Sequence, residues 1–130
     1  MRVLIADDDD YQVRCALRLL IEQQFETAAI DEISSFGQLI EKSVTAMPDI
    51  LLLDCELPGG DQVTFMGEIG SRYPSVSVVA LSALPESRKE ALDCGASAFI
   101  SNNDPLEIFI SIITRLSDFL HRRGLIKTSS

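Results

Sequence analysis

Apolar residues along this chain fall into two kinds of run that alternate. Arg2–Ala6, Ile50–Leu53 and Val76–Ser82 are short and almost continuously apolar, the pattern of strands buried on both faces of a parallel sheet. Thr27–Ile30 reads as a weaker second strand and Ala98–Ser101 as a fifth. Between these runs the apolar positions return at helical spacing. Val13, Ala16, Leu17, Leu20 and Ile21 predict a helix over about residues 10–24, and Phe36, Leu39, Ile40 and Val44 a second. Ser34 or Ser35 is the expected N-cap of the second helix, and Pro48 ends it. Val63, Met66, Ile69 and Tyr73 mark a third, from about Asp61 to Tyr73, closed by Pro74. Residues 85–94 form a short polar fourth helix stopped by Gly95 in the C′ position. Asp104 and Pro105 read as N-cap and first helical residue of a long fifth helix ending near Arg122.

Five strand–helix repeats predict an α/β fold: a five-stranded parallel sheet with helices on both faces. Right-handed crossovers leave few topologies, of which the order 2-1-3-4-5 is the expected one. Ligands of such sheets sit beyond the carboxyl ends of the strands, where the strand order switches, here between strands 1 and 3. Strand 1 runs into Asp7, Asp8, Asp9 and Asp10, and strand 3 ends in Asp54, so carboxylates distant in sequence converge at the expected site. Crowded carboxylates raise one another's pKa unless a cation intervenes. Mg2+, a hard ion held by one or two carboxylates with waters and phosphate oxygens, suits such a pocket. With one carboxylate left as nucleophile, the pocket is equipped to form an acyl phosphate on aspartate. Ser82, at the end of strand 4, can donate a hydrogen bond to a phosphoryl oxygen at the same edge. Aspartates also favour helix N-termini, which accounts for Asp9 and Asp10. It does not account for Asp54, which precedes a turn.

Charge and composition narrow the classes. A net charge of −9, relieved only by a weakly basic tail of Arg122, Arg123 and Lys127, excludes direct nucleic-acid binding by this chain. No apolar run approaches the ~20 residues of a membrane helix, so a cytoplasmic location and no membrane partner are expected. Cys15, Cys55 and Cys94 are widely spaced with no paired motif, which fits a reducing compartment. His121 has no companion ligands.

Taken in order, Val3-Leu-Ile-Ala-Asp-Asp8, Pro48-Asp-Ile-Leu-Leu-Leu-Asp54 with Leu57-Pro-Gly-Gly-Asp61, Val78-Val-Ala-Leu-Ser-Ala83 and Gly95-Ala-Ser-Ala-Phe-Ile100 resemble the receiver domain of bacterial response regulators, over roughly residues 2–120. The resemblance implies a flavodoxin-like receiver fold. It implies Asp54 as the phosphoacceptor, Asp7 and Asp8 as the acidic pair for Mg2+, and the Glu56 backbone carbonyl as a further metal ligand. Ser82 matches the hydroxyl residue that follows the phosphoryl group, and Phe99 the aromatic switch residue, although Phe99 also reads as plain core. Residues 1–123 would be the receiver, and 124–130 a tail or the start of a linker to an output domain. A receiver is a self-catalysed phosphoacceptor rather than a turnover enzyme, and its partner would be a histidine kinase or phosphotransfer protein.

The chain departs from the family pattern at Asn102, which stands where receivers carry a lysine and brings no positive charge to the phosphoryl group. Gly59-Gly60 and Gln62 alter the turn after strand 3. The Glu56 side chain is expected near the site, where it would repel phosphate or exclude attacking water. The last helix carries Leu106, Phe109, Ile110, Ile113 and Leu116 on one face and Ile108, Ile112 and Phe119 on another. The second face is either denser core packing or a surface for a homodimer or output contact. Two functional readings follow: a phosphorylatable receiver, and a phosphorylation-independent pseudo-receiver acting as a protein-interaction module. An enzyme or cofactor carrier on a related fold fits poorly. Four aspartates stand where a flavodoxin needs a phosphate loop, and Tyr11 stands where a haloacid-type phosphatase needs threonine.

Overall fold

Unbroken apolar strands buried on both sides can pair only in the middle of a sheet covered on both faces. In the computed structural model, which describes residues 1–7, 18–23, 29–45, 47–57, 62–101 and 104–122, they do so. Strands β1 (Arg2–Ala6), β2 (Ala29–Ile33), β3 (Ile50–Asp54), β4 (Ser77–Ser82) and β5 (Ala98–Ser101) form one parallel sheet in the order β2-β1-β3-β4-β5. The expected topology is therefore the observed one. Residues 18–23 are helical (α1). The later helices are α2 (Phe36–Thr45), α3 (Gln62–Arg72), α4 (Arg88–Asp93), preceded by a 3-10 turn at Pro85–Ser87, and α5 (Leu106–Arg122).

Side-chain alternation along the strands divides the core in two. Leu4, Leu51, Leu53, Val78, Ala80 and Phe99 face one layer with Leu39 of α2, Phe65, Met66 and Ile69 of α3, and Ala91 of α4. Val3, Ile5, Ile50, Leu52, Val79, Leu81 and Ile100 face the other with Ile21 of α1 and Phe109, Ile113 and Leu120 of α5. An edge-on contact between Phe36 and Phe65, with ring centroids 5.4 Å apart, joins α2 to α3.

Strand β2 lies later in the chain than its apolar residues suggested, running on through Asp31 and Glu32 to Ile33. Pairing with β1 from Arg2–Ala29 to Ala6–Ile33 sets its extent. An edge strand tolerates the charges because one face and one edge meet solvent, and both acids have cationic partners. Arg18 of α1 reaches Glu32 at 2.7 Å, and Lys42 of α2 reaches Asp31 at 3.6 Å.

The second helix is capped as expected: Ser35 Oγ accepts from Gln38 N at 3.3 Å. Gln38 Oε1 reaches back to accept from Ser34 N at 2.8 Å, a variant of the reciprocal capping box. At the other end of the fold, Ser101 N donates to Asp104 Oδ2 at 2.9 Å, so the Asp104 carboxylate bonds back to the end of β5, and α5 begins at Leu106, one residue later than Asp104 and Pro105 predicted. Phe109, Ile113, Ser117 and Leu120 form the buried stripe of α5. Leu106, expected on the packed face, is exposed instead, as the first residue of α5.

Gly95 ends the fourth helix with φ 107°, a conformation that strains any L side chain. A Cβ built there would meet nothing within 4 Å, so Gly95→Ala should cost backbone strain alone, about 1–2 kcal/mol. Gly67, inside α3 with equally open surroundings, should gain about 0.5–1 kcal/mol from the same replacement. Urea midpoints moving in opposite directions for the two variants are the expected result.

Candidate phosphoacceptor site

Strand register builds the site. Ala6 lies opposite Leu53, so Asp7 and Asp54 each stand one residue further, on neighbouring strand ends. Asp7 N still donates to Ile33 O at 3.2 Å, which extends the β1–β2 ladder one step and fixes the Asp7 backbone. Asp54 lies opposite Leu81 of β4, so Ser82 follows one position later, level with Ser101 of β5. The carboxyl ends of β1, β3 and β4 thus hold Asp7, Asp54 and Ser82 along one edge, at the topological switch point between β1 and β3. Asp8 and Asn102 lie outside the described residues, as do residues 58–61 and 123–130.

Asp54 is half-buried, and its Oδ1 accepts from Glu56 N at 2.9 Å. Two further backbone bonds hold the turn, from Cys55 N to Leu81 O at 2.8 Å and from Leu57 N to Asp54 O at 3.1 Å. Leu57, 2% exposed, anchors the turn in the core. Ser82 is 1% exposed. Its Oγ accepts from Leu84 N at 2.9 Å and donates to Glu56 Oε1 at 2.9 Å, and Ala83 N donates to the same Glu56 oxygen at 3.0 Å. The Glu56 side chain, expected only to be near the site, is thus bonded across it to the end of β4. Sequence reasoning missed the Ala83 N–H as a donor. Backbone amides carry no residue signature, and the one available clue was a small residue directly after the strand-end serine.

Phe99 is 5% exposed, opposite Ala80 and within the core layer that also holds Ala91. Among the described residues no group of three or more His, Cys, Asp or Glu is close enough to hold a metal through side chains alone. Asp7 and Asp54 are nonetheless hard oxygen donors on adjacent strand ends, the number of carboxylates that Mg2+ commonly takes beside carbonyl oxygens and water. Among the described residues no helix is long and apolar enough to cross a membrane.

The chain matches the family described as response regulator receiver domain over residues 3–112. It is 26% identical over 115 residues to the DNA-binding transcriptional activator EvgA of Escherichia coli K12, covering 87% of this chain and 55% of the relative. The chain therefore spans about half the length of the curated relatives it matches first. In fold it resembles the signal receiver domain of a DNA-binding response regulator (merR) from Colwellia psychrerythraea 34H, with TM-score 0.81, 20% identity and coverage of 91% of this chain and 98% of that one. It also resembles the response regulator TrrA of Thermotoga maritima in complex with Mg(2+)-BeF, with TM-score 0.71, 22% identity and coverage of 88% and 97%. The chain belongs to the response-regulator receiver family, the signal-receiving module of two-component systems.

Cys55, next to Asp54, is half-buried. Burial first, and then the negative charges of Glu56, Asp54 and Glu90, push its thiol up to about 11 from an ordinary 9.0. Only the thiolate is a good nucleophile, so peptide-resolved alkylation of the folded protein should leave Cys55 largely unmodified at pH 8. Its rate should climb only as the pH approaches 11. The unfolded chain holds fewer protons than the folded one between about pH 9 and 11, so this group's contribution to stability is intact below pH 9 and lost across that window. Rapid modification of Cys55 at pH 8 under native conditions would contradict the assignment.

Proposed function

We propose that this receiver takes a phosphoryl group on Asp54 and relays the event to a protein partner. The observation that carries the reading is the register that brings Asp7 and Asp54 to neighbouring strand ends with Ser82 beside them. In the step envisaged, an Asp54 carboxylate oxygen attacks the phosphorus of a phosphohistidine or a small acyl phosphate. The bond from phosphorus to the donor nitrogen or oxygen breaks, and its electron pair leaves with the donor. Later attack by water on phosphorus releases inorganic phosphate and restores the Asp54 carboxylate. The Ser82 hydroxyl and the Ala83 N–H are the donors suited to the phosphoryl oxygens. Asn102, at the position of the family's lysine, would add a neutral donor from the end of β5.

Asp7, Asp8, Asp54 and the Glu56 backbone carbonyl are the residues that would hold Mg2+. When bound, the ion supplies positive charge against nucleophile and phosphoryl oxygens alike. The Mg(2+)-BeF complex of TrrA supports this assignment by likeness of fold. Residues 1–123 are assigned as the receiver and 124–130 as a tail or linker. The phosphoryl donor would be a histidine kinase or phosphotransfer protein. Relay is assigned to the α4–β5–α5 face, where exposed Leu92 and Ile108 line a groove with Arg88, Phe99 and Arg115, for an output domain or a second copy. Phe99, which lines both groove and core, is the side chain suited to couple the site to that face. The alternative is a pseudo-receiver that engages partners without phosphorylation, a reading favoured by the neutral Asn102.

Incubation of the chain with Mg2+ and a small acyl phosphate should add one phosphoryl group by intact mass, and Asp54→Asn should add none. Withdrawing Mg2+ with a chelator should suppress the gain. A folded wild-type chain that takes no label, beside a control receiver that does, would leave the pseudo-receiver as the better reading.

A further inference from the structure

One residue spans the site from both ends. The Glu56 backbone N–H donates to Asp54 Oδ1, while its side-chain Oε1 takes both the Ser82 hydroxyl and the Ala83 amide. A carboxylate oxygen receiving two converging donors is chemically what a phosphoryl oxygen would be in the same place. The donors cannot be shared at full strength, because a serine hydroxyl and a backbone amide each carry one proton. Leu84 N already donates to Ser82 Oγ, which orients the hydroxyl to spend its proton on Glu56. A dianionic phosphoryl group on Asp54 would in addition meet the Glu56 charge at hydrogen-bonding range.

The geometry points to Glu56 as a built-in occupant of the phosphoryl seat. Its carboxylate holds Ser82 and Ala83 in the unphosphorylated protein and must leave for the phosphoryl group to dock. This rests on Asp54 being the phosphoacceptor. It goes further in making uptake a competition between two anions for one pair of donors. Glu56 is exposed as a residue, so water can receive the displaced carboxylate and the exchange needs no unfolding of the turn. The backbone carbonyl assigned to the metal is untouched by side-chain replacement.

The test is the initial rate of phosphoryl uptake from a small acyl phosphate with Mg2+, followed by intact mass. Wild type, Glu56→Ala, Glu56→Gln, Ser82→Ala and the double variant Glu56→Ala/Ser82→Ala are compared, with unfolding midpoints as a control on the fold. Glu56→Ala should label about tenfold faster than wild type, on the order of one charge-assisted hydrogen bond released. Glu56→Gln, which keeps the acceptor and drops the charge, should lie between them. In the Ser82→Ala background the gain from removing Glu56 should shrink to about threefold or less, since part of what Glu56 held is already gone. Label on Glu56→Ala with none on wild type would be the strong form of the same result. Equal gains in both backgrounds would mean simple charge repulsion and overturn the seat-occupant assignment, as would an unchanged or slower Glu56→Ala beside a wild type that labels. No label on any folded variant would overturn the phosphoacceptor reading itself and this inference with it.

Discussion

Pairing of β3 with β1 on one side and β4 on the other, in parallel register, is the constraint on which the site depends. Ile50, Leu51, Leu52 and Leu53 are each at most 1% exposed and divide between the two core layers. A slip of one residue would exchange every side chain between the layers. A slip would also draw Asp49 or Asp54 into the buried run, where an unpaired carboxylate is costly, so the strand has one acceptable register. Asp54 is the next residue, carried to the sheet edge by apolar neighbours that have no part in its chemistry. The same holds for Asp7 behind Val3–Ala6 and for Ser82 behind Val78–Leu81. The alignment of three polar groups is a consequence of burying three apolar strands.

That dependence explains how much could be read beforehand. Strands β1, β3, β4 and β5 were legible because unbroken apolar runs carry a strong signal, and the strand order followed from crossover handedness. Gly95 was legible because a helix stop demanding positive φ admits few residues. Strand β2 was placed too early because Asp31 and Glu32 do not look like strand residues. Their fitness depends on Arg18 and Lys42, which approach from helices and are not neighbours in sequence. Leu106 was assigned to the packed face by periodicity alone, which does not tell whether the first turn of a helix is covered.

The site was legible as a set of residues and illegible as a network. Asp7, Asp54 and Ser82 announce themselves by type and position at strand ends. The Ala83 amide does not. The destination of the Glu56 side chain depends on a turn held by Leu57 below and by the Cys55–Leu81 hydrogen bond beside it. A carboxylate two residues after Asp54 suggested repulsion of phosphate or exclusion of attacking water. In place it is a direct ligand of the donors that a phosphoryl group would use.

This geometry bears on the choice between a phosphorylated switch and a module that works without phosphate. A buried hydroxyl without a partner is costly, and Ser82 is among the most buried polar residues described. In a site without phosphate Glu56 meets that need, so the end of β4 is ordered by an internal anion. With Asn102 in place of a lysine, less positive charge would draw a phosphoryl group, and the competing carboxylate would weigh more. The two readings then differ in the balance between two anions at one pair of donors. Substituting Glu56 shifts that balance toward the phosphoryl group, and keeping it with a neutral Asn102 shifts the balance back.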